Sequence, residues 1–407
     1  MKNEFASRSD TQAMNNPAIP QFHNSTIPQS TPSLRVWGVT GTNGKTTVTW
    51  ILAEFMRAAY ITTVEVNTLA RRFYTGYTTP PLARLKEIFA EMEAAGARDC
   101  AMEVSSHAIH QGRTGDTVFA GGAFTNLSED HLDYHKTMEE YFRVKLSFAE
   151  LIARQHSSAP ASAGRRELPP FVVCLDGGYA REMLEAAGRL PLNVIPVSAA
   201  SPRFDLSGLQ LVGDYNKSNV LVAAALAEAA GVPHDDIQRI IPTLTPRWGR
   251  LEPVSCASPA DVYVDFAHTP DGLEKVLSAA RGFTRRRLWV VFGAGGDRDP
   301  MKRPLMGEAA AKLADRIVVT SDNPRSEEPE AIIADIMRGI PQDVAASVAV
   351  IPDRREAIRH ALAGAAAGDV VLICGKGHET TQEIKGVKHP FDDRAIVRAF
   401  SFPPAND

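Results

Sequence analysis

Between Gly38 and Thr47 the chain reads GVTGTNGKTT, a run whose residue types suit the grip of a triphosphate. Gly41 and Gly44, with Thr42 and Asn43 between them, let backbone N–H groups close around an anion. Lys45 brings a mobile positive charge for the β- and γ-phosphates. Thr46 offers a hydroxyl to Mg²⁺, and Thr47 follows at a helix start, where free N–H groups also favour anions. The common spacing G-x-x-x-x-G-K would put a glycine where Val39 stands, so the loop is a short variant. A glycine-rich turn before a structural helix is the plainer reading. It is disfavoured because the apolar run Leu34, Val36, Trp37, Val39, then the glycines, Lys-Thr and the helical stretch VTWILAEFM follow in the order a nucleotide loop requires. ATP is therefore the expected co-substrate.

Further polar clusters follow apolar runs. Glu103 in AMEVSSH would project from a strand's C-terminal end, as a Mg²⁺ ligand or as a salt-bridged edge residue. TNLSEDHLDYH gathers Asn126, Asp130, His131, Asp133 and His135 in one loop, suited to a metal or phosphate but also to a solvated turn. In DFAHTPDG, Asp265 could take ribose hydroxyls, while Asp271 could cap a helix after the turn residue Pro270. GAGGDRDPMKRP carries Arg298, Lys302 and Arg303 for an anion. In SDNPRSEEPE and CGKGHET, Arg325 could hold a carboxylate and Glu379 an ammonium, a pairing that suits a zwitterionic amino acid; Asp322-Asn323-Pro324 taken alone reads rather as a helix-entry turn.

The elements that must position these groups alternate. Apolar runs near 35–39, 98–104, 119–125 and 171–175 are separated by helical patterns near 46–59, 83–95 and 137–153, and NVLVAAALAEAAG (219–231) reads as a helix. Prolines and a glycine near 243–253 interrupt the pattern. Strands are then expected at 261–265, 288–292, 316–320, 347–351 and 369–374. The fold class is α/β: a P-loop region with a parallel sheet flanked by helices over 34–244, and a Rossmann-like α/β region over 245–407. Residues 1–33 read as a disordered tail and 157–170 as a loop or trimmed insertion. The chain has 407 residues, 44% apolar and 23% charged, with a formal net charge of −4. That balance argues against nucleic-acid or membrane-surface partners and for small-molecule substrates. Cys100, Cys174, Cys256 and Cys374 lie far apart, with no paired spacing, which fits a cytoplasmic protein with reduced thiols. A monomer is expected.

The order GTNGKTT, YTTP, MEVSSHAIHQGR, FTNLSEDHLDYH, MEEYFRVK, GDYNKSN, GRLEPV, VDFAHTPDGL, GGDRD, KRPLM, SDNPR and GKGHE closely resembles the Mur ligase family, nearest to its MurE-type, diaminopimelate-adding members, from about residue 35 to 394. The resemblance implies ATP-dependent, ADP-forming amide synthesis with Mg²⁺, through an acyl-phosphate that an amino acid's amine displaces. Matched by motif, Lys45 and Thr46 would hold phosphates and Mg²⁺. Glu103 and His131 would hold a second Mg²⁺ with Lys145, the position of the family's carbamylated lysine. Asn126 and Asn219 would touch the nucleotide, and Arg250 and Asp265 the γ-phosphate region and ribose. Thr78, Thr79, Ser105, Gln111 and Arg113 match acceptor-side positions. Arg298, Asp322, Asn323, Arg325, Gly375 and Glu379 match the diaminopimelate pocket.

Three departures bear on the acceptor. Only a polar stretch of some 33 residues is read before the P-loop, so the family's UDP-gripping N-terminal domain is expected to be missing; the chain is shortened between Ala149 and Gly213, and 61–76 does not resemble the family's glycine-rich strand. The expectation is a truncated paralogue with a non-standard acceptor carboxylate. The alternatives are UDP-MurNAc-L-Ala-D-Glu as acceptor, in peptidoglycan synthesis, and a P-loop ATPase or nucleotide-binding regulator that no longer ligates.

Overall fold

The computed structural model describes residues 34–157 and 167–401. The expected tail (1–33) and most of the expected loop at 157–170 lie outside the described residues. The first sheet is built from β1 (Arg35–Thr40), β2 (Ala59–Ile61), β3 (Val66–Asn67), β4 (Arg72–Phe73), β5 (Asp99–Glu103), β6 (Phe119–Phe124), β7 (Pro170–Cys174) and β8 (Asn193–Val197). Its order is β4-β3-β2-β5-β1-β6-β7-β8, parallel except for the β2-β3-β4 edge. Strands such as β5, where Cys100, Ala101 and Met102 are wholly buried, read as unbroken apolar runs because helices cover both faces of a parallel sheet. Helices Lys45–Met56 and Asp214–Ala229 share one of those faces, packing Trp50, Ile51 and Phe55 with Val220, Leu221 and Ala224.

The second sheet holds β9 (Glu252–Pro253), β10 (Asp261–Asp265), β11 (Leu288–Phe292), β12 (Arg316–Val319), β13 (Ala349–Val350) and β14 (Val370–Cys374), in the order β13-β12-β11-β14-β10-β9, with only β9 antiparallel. A hairpin of β15 (Thr381–Ile384) and β16 (Val387–Pro390) stands apart from it. Between the sheets, residues 244–251 form no helix or strand, and Trp248, Gly249 and Leu251 all take positive φ (54°, 60° and 48°). The Trp248 ring packs against Trp50 and Tyr60, with centroids 6.2 and 5.8 Å away.

The long apolar strands fall where the sequence places them. Differences concentrate in short elements. The first helix stops at Met56, with Arg57 left-handed (φ 52°), and Ala59, the last residue expected in it, opens β2. The 61–76 segment makes β3 and β4, and NVIPV makes β8, an edge strand where Pro196 needs no ladder partner. Helix Asp214–Ala229 starts five residues before the expected 219, because DYNKS is polar and masks the helical period. The strand expected at 347–351 shortens to β13. No helix among the described residues is long and apolar enough to cross a membrane.

Candidate functional site

β1 lies between β5 and β6, the point where the strand order changes direction, and open α/β sheets bind ligands just beyond the carboxyl ends of such strands. The loop leaving β1 is braced by the segment leaving β6. Thr42 N–H donates to the Asn126 carbonyl (2.8 Å), Asn43 N–H to Asn126 Oδ1 (3.0 Å), and Thr125 Oγ1 to the Asn43 carbonyl (2.6 Å). Gly44 has φ +84°, and a Cβ there would sit 2.4 Å from Asn219 Oδ1, so only glycine fits. The helix that follows, Lys45–Met56, has no side-chain cap and no acidic residue in its first turn. Its positive end is therefore left open for an anion. The Lys45 ammonium meanwhile folds back onto the carbonyls of Gly41 (3.1 Å) and Thr42 (2.7 Å).

A cavity of about 1350 Å³ opens between the ends of the two sheets. Thr42, Asn43, Gly44, Lys45, Thr46, Thr47, Thr78, Glu103, Asn126, His131 and Asn219 line its first-sheet side. Arg250, Asp265, Arg298, Asp322, Asn323, Arg325, Gly375 and Glu379 line the other. Gly41, Thr79, Ser105, Gln111, Arg113 and Lys145 are not on the wall. Thr79 Oγ1 donates to the Glu103 carbonyl (2.8 Å) and accepts from Ser105 N–H (3.1 Å). Ser105 caps helix Ser106–His110. Arg113 reaches the Thr79 carbonyl (3.3 Å) and Gln111 Oε1 (2.8 Å), so this group buttresses the wall from behind.

Glu103 is wholly buried, and its carboxylate accepts from the Thr63 N–H (2.8 Å) and hydroxyl (3.2 Å). His131 is left-handed (φ 57°), and burial pushes its imidazole down to about 3 against the pull of Asp130. Asp130, though buried, is held well below the carboxylate range by His131 and by Lys302, whose ammonium lies 3.9 Å away on the second-sheet side. Lys145 is 1% exposed, donates to the Gly41 carbonyl (2.7 Å), and sits 4.5 Å over the Tyr141 ring. Burial, then the Lys45 charge, pushes its amine well below its ordinary value, toward the neutral form. Among the described residues no cluster of three His, Cys, Asp or Glu side chains could hold a metal. Glu103 and His131 both line the cavity but supply two such donors only.

Across the cavity, Arg250 donates to Thr46 Oγ1 (3.2 Å) and stacks on Phe266 (4.6 Å). Asp265 spends both oxygens on backbone, accepting from Leu251 N–H (2.6 Å) and Ala267 N–H (2.7 Å), which anchors the 249–251 connection. Asp271 is not the helix cap. Thr269 is, accepting from Gly272 N–H (3.1 Å), because a cap must precede the first helical residue, here Pro270. Asp271 Oδ2 instead bridges the sheets, accepting from Asn43 Nδ2 (2.8 Å), Ser128 Oγ (3.2 Å) and Lys275 Nζ (2.8 Å).

Residues 322–325 are no helix entry either: Arg325 is left-handed (φ 54°) and bridges to Ile384 of β15. Its guanidinium meets the Gly296 carbonyl. Asn323 Nδ2 donates to Glu379 Oε2 (2.8 Å). The buried Lys376 ammonium reaches both Asn323 Oδ1 (3.1 Å) and Glu379 Oε2 (2.9 Å). Sequence reading passed over Thr63, Lys376 and the β15–β16 hairpin. Lys376 lies in the CGKGHET segment, whereas Thr63 carries no local signal. All four cysteines are free, and only Cys256 is not fully buried.

Fold and site together define an enzyme class, a P-loop α/β protein that works between two sheets. Residues 39–227 match the Mur ligase middle domain and 249–377 the Mur ligase, glutamate ligase domain. The chain is 41% identical to the UDP-N-acetylmuramoyl-L-alanyl-D-glutamate–2,6-diaminopimelate ligase of Geobacillus kaustophilus, over 91% of this chain and 79% of that one. It is 42% identical to the ligase of the same name from Synechococcus elongatus, over 91% and 77%. A solved structure of such a ligase matches with TM-score 0.57 at 34% identity, over 89% of this chain and 77% of that one. Folylpolyglutamate synthase of Mycobacterium tuberculosis shares the fold at 19% identity, with TM-score 0.60 over 84% and 89%. The chain belongs to the Mur ligase family and is an ATP-dependent, ADP-forming ligase of MurE type that makes an amide bond.

Proposed function

We propose that the amide formed joins diaminopimelate to the acceptor carboxylate of UDP-N-acetylmuramoyl-L-alanyl-D-glutamate, the substrates in the names of the relatives. The observation that carries this reading is the placing of a cationic Arg325 and the Asn323–Glu379 pair on the cavity wall opposite the P-loop. A zwitterion can be held there by both ends, facing an acid activated at Lys45.

In this reading the loop amides, Lys45 and the open helix end bind the triphosphate, with Asn126 and Asn219 beside the nucleotide. Arg250 steadies the γ-phosphate region; Asp265 borders the ribose and fixes the connection that carries Arg250. Carbon dioxide adds to the neutral Lys145 amine, forming a C–N bond and releasing a proton, and the carbamate joins Glu103 and His131 as a ligand set. Mg²⁺ there and at Thr46 would screen the repulsion between triphosphate and acceptor acid. The acceptor oxygen attacks the γ-phosphate, ADP leaves, and the amine displaces phosphate from the acyl-phosphate through a tetrahedral intermediate. Thr78, Thr79, Ser105, Gln111 and Arg113 shape the acceptor side. Arg298, Asp322, Asn323, Arg325, Gly375 and Glu379 shape the amine side. The setting is taken as a reducing cytoplasm and the working unit as a monomer.

Phosphate release tests this. With ATP and Mg²⁺, release should require both diaminopimelate and the UDP-linked dipeptide. Product mass should show one new amide, and lysine should substitute poorly. Release with smaller acids in place of the dipeptide would move the acceptor to the non-standard reading. Release independent of amine and acceptor would favour a simple ATPase.

A further inference from the structure

We propose that Arg354 is a positioning residue for the amino-acid pocket: from behind the wall it sets the two loops that carry Asp322 and Gly375, and so fixes where the Asp322 carboxylate stands toward a substrate ammonium. The inference rests on reading 322–325 and 375–379 as the amine pocket.

Arg354 opens helix Arg354–Gly364, and its side chain is wholly buried. Its guanidinium is a rigid fork of five N–H donors. Nε and Nη2 donate to the two oxygens of Asp393 (2.9 and 2.7 Å), a residue also wholly buried. Nη2 donates as well to the Cys374 carbonyl (2.9 Å), and Nη1 to the Ser321 carbonyl (3.4 Å). Cys374 ends β14 and Ser321 follows β12, the strands on either side of β11. One planar group therefore spans the carboxyl end of the sheet and fixes how far each loop stands above it.

The charges do not balance within this group. Nη1 lies 3.9 Å from Asp322 Oδ2, so two buried carboxylates share one guanidinium. Asp322 Oδ2 is buried without any hydrogen-bond partner, although Asp322 lines the cavity. A buried, unpartnered carboxylate oxygen is costly unless a donor arrives. Lys376 is engaged elsewhere, on Asn323 and Glu379. Space for the oxygen depends on Gly375 (φ +113°), where a Cβ would lie 2.3 Å from it. Lysine at 354 would keep the charge and lose the fork that joins both carbonyls to Asp393.

Steady-state kinetics on the full chain, with ATP, diaminopimelate and UDP-MurNAc-L-Ala-D-Glu, test the proposal. Arg354→Lys, and the charge-neutral pair Arg354→Gln with Asp393→Asn, should raise KM for diaminopimelate roughly tenfold or more while KM for ATP moves less than about twofold. Asp322→Asn should give a similar shift, and adding Arg354→Lys to it should change little further, because both act on one contact. Equal losses for ATP and diaminopimelate, or fully additive effects, would reduce Arg354 to a buried ion pair that merely stabilises. If one variant fails to fold, the other decides. Wild-type protein that releases no diaminopimelate-dependent phosphate would remove the pocket reading itself, and this inference with it.

Discussion

At the scale of single residues, the site contrasts two lysines near one loop. Lys45 stands on the cavity wall with its ammonium resting on the carbonyls of Gly41 and Thr42, whereas Lys145 is sealed beneath Gly41 and held toward the neutral amine. Only a neutral amine can add carbon dioxide. Lys145→Ala should therefore lower the ligation rate by about 100-fold or more, and short carboxylates added to the assay should restore part of it. Unrescued, unchanged or merely halved activity would remove the carbamate from the account. Arg325→Ala should raise KM for diaminopimelate at least ~10-fold and leave ATP nearly untouched, since its guanidinium is held on the second-sheet wall, at the Gly296 carbonyl and near Glu383. The P-loop residues were legible from sequence because loop, charge and helix start are contiguous. Thr63, which holds Glu103 by two hydrogen bonds, was not, because its role arises only when β2 is laid beside β5.

At the scale of elements, long buried strands announce themselves as apolar runs, and β5, β7, β11 and β14 were all readable that way. Two-residue strands such as β3 and β4 carry too few side chains to form a pattern; they appear only as a short antiparallel extension of the β2 edge. Helix caps lie between these extremes. Thr269 satisfies an otherwise orphan N–H at the start of helix Pro270–Arg281, so Thr269→Ala should cost about 1 kcal/mol, read as a lower denaturation midpoint. Substituting Asp271, whose bond within the helix is the i,i+4 pair with Lys275, should cost the helix less, about 0.5 kcal/mol.

At the scale of the whole molecule, the Asp271 bridge to Asn43 and Ser128 joins the two sheets beside the nucleotide loop. Asp271→Ala should enlarge the radius of gyration of the ligand-free protein in X-ray scattering; an unchanged profile would show that other contacts hold the sheets together. Acid should also loosen the molecule. Burial, reinforced by the Lys302 charge, pushes the His268 imidazole from 6.5 down to about 4. The unfolded chain then binds the extra proton first, so stability present above pH 6.5 is lost as pH falls toward 4. His268→Gln should flatten that decline by roughly 2 kcal/mol, measured by urea titration at several pH values. The cavity itself was foreseeable as a meeting of strand-end loops. Which loops face one another was not, because that depends on how residues 244–251 turn. The Trp248 ring anchors that turn on Trp50 and Tyr60, two residues before Arg250 touches Thr46. This indole pair stands at the root of the connection between the halves, so the protein carries a native optical gauge: if nucleotide moves that connection, its ultraviolet emission should shift on titration, with no dye attached.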